Sequence, residues 1–242
     1  MSSTAIAFRI LPGMTPSALD FIKEAVGPRL AEHDESRRHL GIRLEKAWIE
    51  NTNEGDVLVF FFEGDDLEAS MSMLGESSGM YDLWYREKMF TLTGADLCDY
   101  RQTKPAGLIF ESSVETPLEG AASTAVVLRV LPGEKDEMLE FVKGLAGPRA
   151  EEYHDFLSRH ELQRVRIYLQ ERPHGETALL YAEGKDPGGS IAVFARSSQP
   201  FDAWQREMML KINGTDFIRR RTAPPPHLLL EWQATEAGTR AA

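Results

Sequence analysis

The chain repeats itself. Residues 4–113 align with residues 124–233 at a constant offset of 120 and without a gap. Leu11-Pro12-Gly13 answers Leu131-Pro132-Gly133, and Gly27-Pro28-Arg29 answers Gly147-Pro148-Arg149. Asp82, Trp84, Arg86, Glu87 and Met89 answer Asp202, Trp204, Arg206, Glu207 and Met209. About thirty positions are identical, which points to a duplicated structural unit rather than to chance. The expected layout is a first repeat over 4–113, a linker over 114–123, a second repeat over 124–233 and a flexible tail over 234–242. Each repeat has the length of a small domain.

Composition narrows the function classes. The net charge of −11 argues against nucleic acid, because binding phosphate takes a basic face. The charge is uneven. Residues 1–120 hold 11 Lys+Arg against 21 Asp+Glu, and residues 121–242 hold 16 against 17. The one cysteine allows neither an internal disulfide nor a cysteine metal cluster. Cys98 aligns with Ile218 and reads as a core position. Met1-Ser2-Ser3-Thr4 does not open a secretory signal, and no apolar run reaches the ~18 residues of a membrane span. The expectation is a cytoplasmic, bacterial-type protein.

Each repeat parses as strand, long helix, strand, strand, helix, strand. Ala5–Leu11 and Ala125–Leu131 alternate apolar residues before Pro-Gly stops them. Thr15-Pro16 reads as an N-cap followed by proline at the first helical position. Gly27-Pro28 should divide the first helix, since proline removes a backbone donor. A glycine turn at Gly55 or Gly175 joins strands two and three into a hairpin, which places His174 in a turn. Asp66 and Asp186 read as N-caps. The second helical region breaks near Ser77-Ser78, and Gly94 and Gly214 stop it.

Strand–helix–strand twice over is the ferredoxin-like split βαβ unit, with helices on one face of a four-stranded antiparallel sheet. The fold class is therefore α+β: two tandem ferredoxin-like βαββαβ units packed sheet to sheet as an intramolecular dimeric α/β barrel. The Pro-Gly after strand one, the hairpin, and the Ser-Ser-x-x-(Phe/Tyr)-Asp-x-Trp-x-Arg-Glu stretch resemble the dimeric α/β-barrel superfamily. Within it they resemble a bacterial branch near the antibiotic-biosynthesis monooxygenases and NIPSNAP-like proteins. The resemblance covers nearly the whole chain. It implies that the tandem chain mimics a dimer, with any pocket between sheet and helices or inside the barrel.

Strand phase sorts the side chains, because alternate residues face opposite sides. Val165, Ile167 and Leu169 should pack under the helices, leaving Arg164, Arg166, Tyr168 and Gln170 on the other face. In the first repeat that other face reads Leu44, Lys46, Trp48 and Glu50. Strand three adds Phe61 and Glu63, or Tyr181 and Glu183. Arg9 and Arg129 fall mid-strand on strand one, and Glu111 and Glu231 lie on strands expected to flank it. A buried arginine should pair with carboxylates, since an unpaired buried charge is very costly. Two readings stay open. One is a symmetric Arg–Glu lattice that fixes sheet register. The other is the polar floor of a ligand cavity, with arginine holding a carboxylate, phenolate or enolate. The candidate ligand-binding residues are Arg9, Trp48, Glu63, Arg129, Arg166, Tyr168, Tyr181 and Glu183. Tyr168 and Tyr181 could donate hydrogen bonds to a developing oxyanion.

None of the six histidines has a histidine counterpart in the other repeat. Their spacings do not place two ligands on one helix face, so no metal site is expected. An axial haem ligand needs a single histidine, and His154 or His160 could serve. Trp84 and Trp204 read as core anchors. No phosphate-binding glycine loop and no nucleophile elbow occurs. The leading functional reading is a cofactor-free small-molecule enzyme of oxygenase, isomerase or cyclase type acting on an aromatic or polyketide-like metabolite. The alternatives are a non-catalytic binding or assembly module, and a haem protein of chlorite-dismutase-like plan. Homo-oligomerisation stays open.

Overall fold

Apolar alternation followed by Leu-Pro-Gly produces the same opening in both repeats: β1 (Ser2–Arg9) leads into α1 (Thr15–Val26). The computed structural model describes residues 2–114, 120–172, 175–220 and 224–234. After α1 come α2 (Leu30–His39), β2 (Ile42–Thr52), β3 (Gly55–Gly64), α3 (Leu67–Glu76), α4 (Met80–Thr93), the single turn α5 (Tyr100–Thr103) and β4 (Gly107–Ser113). The second repeat follows with β5 (Ala122–Arg129), α6 (Lys135–Ala146), α7 (Ala150–Arg159), β6 (Leu162–Arg172) and β7 (Gly175–Gly184). It closes with α8 (Pro187–Arg196), α9 (Pro200–Asn213), the turn α10 (Phe217–Arg220) and β8 (His227–Gln233). The linker and tail expected at 114–123 and 234–242 lie largely outside the described residues, and the turn position of His174 lies wholly outside them.

Local signals explain most boundaries. Gly-Pro splits the first helical region of each repeat, and the Asp66 and Asp186 side chains cap α3 and α8 by accepting from Ala69 and Gly189. Gly94 and Gly214 end α4 and α9 in the left-handed conformation. Thr15 is not the cap of α1. Met14 holds that position, and the Thr15 hydroxyl instead donates to Asp56 at 2.5 Å.

The shared motifs meet each other. Arg29 of Gly-Pro-Arg stacks over Trp84 at 4.2 Å, and Arg149 over Trp204 at 3.7 Å. Arg86 donates to the Leu74 and Gly75 carbonyls, and Arg206 to those of Phe194 and Ser197, which satisfies the ends of α3 and α8. These residues are kept in both repeats because they hold helix to helix.

Two four-stranded antiparallel sheets carry the fold, in the orders β1-β3-β2-β8 and β4-β6-β7-β5. The last strand of each repeat therefore joins the sheet of the other. The fourth strands do not flank the first strands, as expected from a self-contained unit. β4 pairs with β6, setting Glu111 opposite Arg166. In a duplicated chain either sheet offers the same free edge, so exchange keeps the number of paired strands. One compact unit gathers the described residues of Met1–Trp48, Glu54–Pro105 and Leu228–Ala242. The other gathers those of Ile49–Asn53 and Ala106–His227.

Val165, Ile167 and Leu169 pack with Phe141, Leu145 and Phe156 under the helices of the second unit, as their alternation requires. Cys98 is exposed, not core. Leu97 and Phe217 take the buried positions beside Cys98 and Ile218. Among the described residues no helix is long and apolar enough to cross a membrane.

Candidate functional site

The expected sheet-face residues separate into two groups. Arg9 and Arg129 are not mid-strand and inward. Each closes its strand and is exposed, with Arg9 reaching only to 4.0 Å from Glu54. Arg9 instead borders an open cleft of about 480 Å³ with the Leu-Pro-Gly loop, Thr15 and Asp56.

The others form a tied lattice. Arg166 donates to Glu111 at 2.8 Å, Arg164 lies 3.4 Å from its register partner Glu183, and the Tyr181 hydroxyl donates to Glu183 at 2.6 Å. In the first unit Lys46 pairs with Glu231 at 2.9 Å, the repeat equivalent of Arg166 with Glu111. Trp48, Tyr168 and Tyr181 are fully buried, and Glu63 is half-buried. Arg164, Arg166 and Tyr181 thus pair with carboxylates of their own sheet, as a register-fixing lattice would.

A different cluster stands out on the helix side of the first sheet. Glu45 on β2 is fully buried among helices where its repeat equivalent is Val165. His33 and Arg37, one turn apart on α2, reach it from the same helix face, and both are fully buried. Arg37 Nε donates to Glu45, and a second nitrogen lies 3.5 Å from the other carboxylate oxygen. Tyr81 and Tyr85, one turn apart on α4, close the cluster. The Tyr81 hydroxyl is 2.8 Å from His33 Nδ1, and the Arg37 guanidinium sits 4.5 Å from the Tyr85 ring.

The charge states follow from burial. Burial pushes the His33 imidazole down to about 4, against the pull of the Glu45 carboxylate and with help from Arg37. The ring is therefore neutral at pH 7. Burial likewise raises both tyrosines, with Arg37 acting in the other direction. Burial works most strongly against the Arg37 cation, yet Glu45 together with Tyr85 and Tyr81 outweighs it, and its pKa stands above the ordinary value.

A neutral ring that accepts from Tyr81 at Nδ1 carries its proton on Nε2. That nitrogen faces Glu45 at 3.4 Å without hydrogen-bond geometry, and among the described residues it has no hydrogen-bond partner. Phenol, imidazole and carboxylate thus stand in line, with a fixed cation beside the carboxylate. Such a chain can take up a proton at His33 while Glu45 steadies the imidazolium.

Behind Arg37 the support continues. Ser36 accepts from Arg37 at 3.2 Å and donates to Asp82 at 2.5 Å, and Ser77 donates to Asp82 at 2.6 Å. An apolar crevice of about 20 Å³ touches Tyr85 and runs among Phe8, Phe60 and Met71, which leaves room for about one water-sized molecule.

The second repeat replaces the cluster by core. Where the first has His33, Arg37, Glu45, Tyr81 and Tyr85, it has Tyr153, Leu157, Val165, Phe201 and Gln205. Its own buried acid is Asp202, paired with Arg159 at 2.5 Å and with His160 at 3.2 Å. His160 is thus engaged and buried, while His154 is exposed. No group of three or more His, Cys, Asp or Glu side chains able to hold a metal occurs among the described residues.

Comparison with known proteins adds a likeness of fold. No family model matches the chain, and no curated protein matches it in sequence. Among solved structures, a protein from Fusobacterium nucleatum provisionally described as a monooxygenase is similar over 96% of this chain and 93% of its own, at 12% identity and a TM-score of 0.51. A provisionally described monooxygenase from Lactobacillus acidophilus aligns over 96% and 97%, at 10% identity and a TM-score of 0.48. An anthrone oxidase-like protein aligns over 99% and 96%, at 12% identity and a TM-score of 0.46. With its two antiparallel four-stranded sheets, the chain has the α+β fold of tandem ferredoxin-like units.

Proposed function

We propose that the protein is a small-molecule enzyme, working without a bound cofactor, whose proton-transfer groups are Tyr81 and His33, with Glu45 steadying the imidazolium. The observation that carries this reading is the asymmetry between repeats. At these five positions one copy of the fold buries a neutral histidine, an ion pair and two phenols, and the other a phenol, a glutamine and three apolar side chains. A buried ion pair is often no more stable than the apolar packing it displaces. Stability alone therefore does not account for it.

In the proposed step a substrate O–H or acidic C–H gives its proton to Tyr81 as the Tyr81 proton passes to His33 Nδ1. The substrate leaves as an anion, Tyr81 is again a phenol and His33 is an imidazolium beside Glu45. Arg37 offsets the anion's charge. An aromatic or polyketide-like substrate reaches Tyr81 only if the packing around α2 and α4 opens, because the crevice at Tyr85 holds about one water-sized molecule. The fold likeness to the Fusobacterium protein supports an oxygenase in which dioxygen is the co-reactant.

The test is a thermal-shift screen of phenols, enols and aromatic acids, followed by oxygen-uptake and product assays on the hits. Tyr81→Phe and His33→Gln should each lower turnover at least 100-fold with the fold intact. Full turnover in both would end this reading. A packed, non-catalytic module is favoured by one observation, the complete burial of Trp48, Phe61, Tyr168 and Tyr181. That reading requires the screen to yield no ligand.

A further inference from the structure

The cluster on α2 is completed from the far end of the chain. β8, the last strand of the second repeat, lies beside β2 and brings Trp232 against His33. The two rings meet edge to face, with centroids 5.7 Å apart and planes at 82°. The indole N–H donates to Asp34 at 3.3 Å, and Asp34 also pairs with Arg38 at 2.9 Å. Both side chains are buried, His33 fully and Trp232 nearly so, with the indole covering one side of the imidazole. In the second repeat the equivalent position is Ser112, and the residue it would shield is Tyr153.

We infer that Trp232 is a positioning residue of the His33 site: it keeps water off the imidazole and ties the adjoining turn of α2 through Asp34. The inference rests on the proposed role of His33. It explains how the first repeat keeps a dry, neutral histidine at position 33, where the second has Tyr153. A buried ring next to a carboxylate and a cation keeps its state only while water is excluded. Asp34 supplies the second tie, because an indole donates one hydrogen bond and no more. The chain thus completes its first-repeat site only with its last strand.

The experiment follows the His33 ring proton by NMR against pH in the full-length protein, in Trp232→Phe and in Trp232→Leu. His33→Gln identifies the resonance. In the parent and in Trp232→Phe, His33 should stay neutral through pH 6. In Trp232→Leu, which stays apolar but lacks the planar ring and the N–H, its midpoint should rise by about one unit or more toward the ordinary range. An unchanged midpoint in a folded Trp232→Leu protein would overturn the inference. Should that variant unfold, Trp232→Met, which also lacks the ring and the N–H, decides the matter in the same way. The proposed function has a separate readout. If His33→Gln keeps full turnover, the catalytic reading fails while the titration result stands. If His33→Gln abolishes turnover and Trp232→Leu leaves the midpoint unmoved, only this inference fails.

Discussion

The hydroxyl of Tyr81 and Nδ1 of His33 lie 2.8 Å apart, inside a fully buried pocket of side chains that also holds an arginine and a glutamate. The second repeat has Phe201 and Tyr153 at these positions, so the contact has no counterpart there. The second repeat is thus a built-in control for the first.

Removing Arg37 alone leaves Glu45 buried without its cation. Arg37→Leu should destabilise the protein by about 3–5 kcal/mol. Changing His33→Tyr, Arg37→Leu and Glu45→Val together copies Tyr153, Leu157 and Val165. That triple variant should recover the loss, ending between neutral and about 4 kcal/mol more stable than the parent, while losing turnover. Urea denaturation of the two variants beside the parent checks this. A triple variant as unstable as Arg37→Leu would refute it.

His33 also makes stability depend on pH in a definite direction. Its folded-state pKa of about 4 lies below the ordinary 6.5, so between these values the unfolded chain binds a proton that the native chain refuses. Stability from this residue is complete above about pH 6.5 and is lost as pH falls toward 4, by about 3 kcal/mol in all. His33→Gln keeps a hydrogen-bond acceptor for Tyr81 and does not titrate. The gap between parent and variant unfolding energies should therefore shift by that amount over this window, as measured by denaturation at pH 7, 5.5 and 4.5.

Much of this architecture was legible in the residues, and the reasons are local. Gly27-Pro28, Asp66, Gly94 and their equivalents act on their own backbone, so helix breaks and caps could be placed directly. The buried cluster was less legible because it depends on which copy is read. The apolar face of strand two is plain in Val165, Ile167 and Leu169, whereas the same face of the first repeat begins with Glu45. A scan of helix-facing positions that turn from polar to apolar between repeats would have marked 37, 45 and 81, with 33 and 85 one helical turn from 37 and 81. The reach of Trp232 to His33 was hidden for another reason. It depends on strand exchange, and the pattern of one strand does not say which sheet it joins.

The turn between α7 and β6 offers a simpler test. Glu161 adopts a left-handed φ of 50° where the first repeat has Gly41 at 72°. A side chain in that region is strained, and glycine is not. Glu161→Gly should stabilise the protein by about 1 kcal/mol, less whatever its exposed pair with Lys185 contributes. A calorimetric melting temperature below that of the parent would contradict this.

Cys98 should react fully with a thiol reagent in the native protein, because it is exposed beside the buried Leu97. As the one cysteine of the chain, it gives a single unambiguous labelling site. Labelling that appears only after denaturation would show that it is covered.

Strand exchange also sets the order in which the protein can be finished. As the chain leaves the ribosome, β1, β2 and β3 are available early, yet the outer edge of β2 waits for β8, more than a hundred residues later. Through that interval the first sheet presents an open edge, the kind of surface on which nascent chains join wrongly. β4, made in the meantime, has no place until β6 exists. Neither repeat can mature ahead of the other, so a synthesis fault near the C-terminus is felt in the sheet that was begun first.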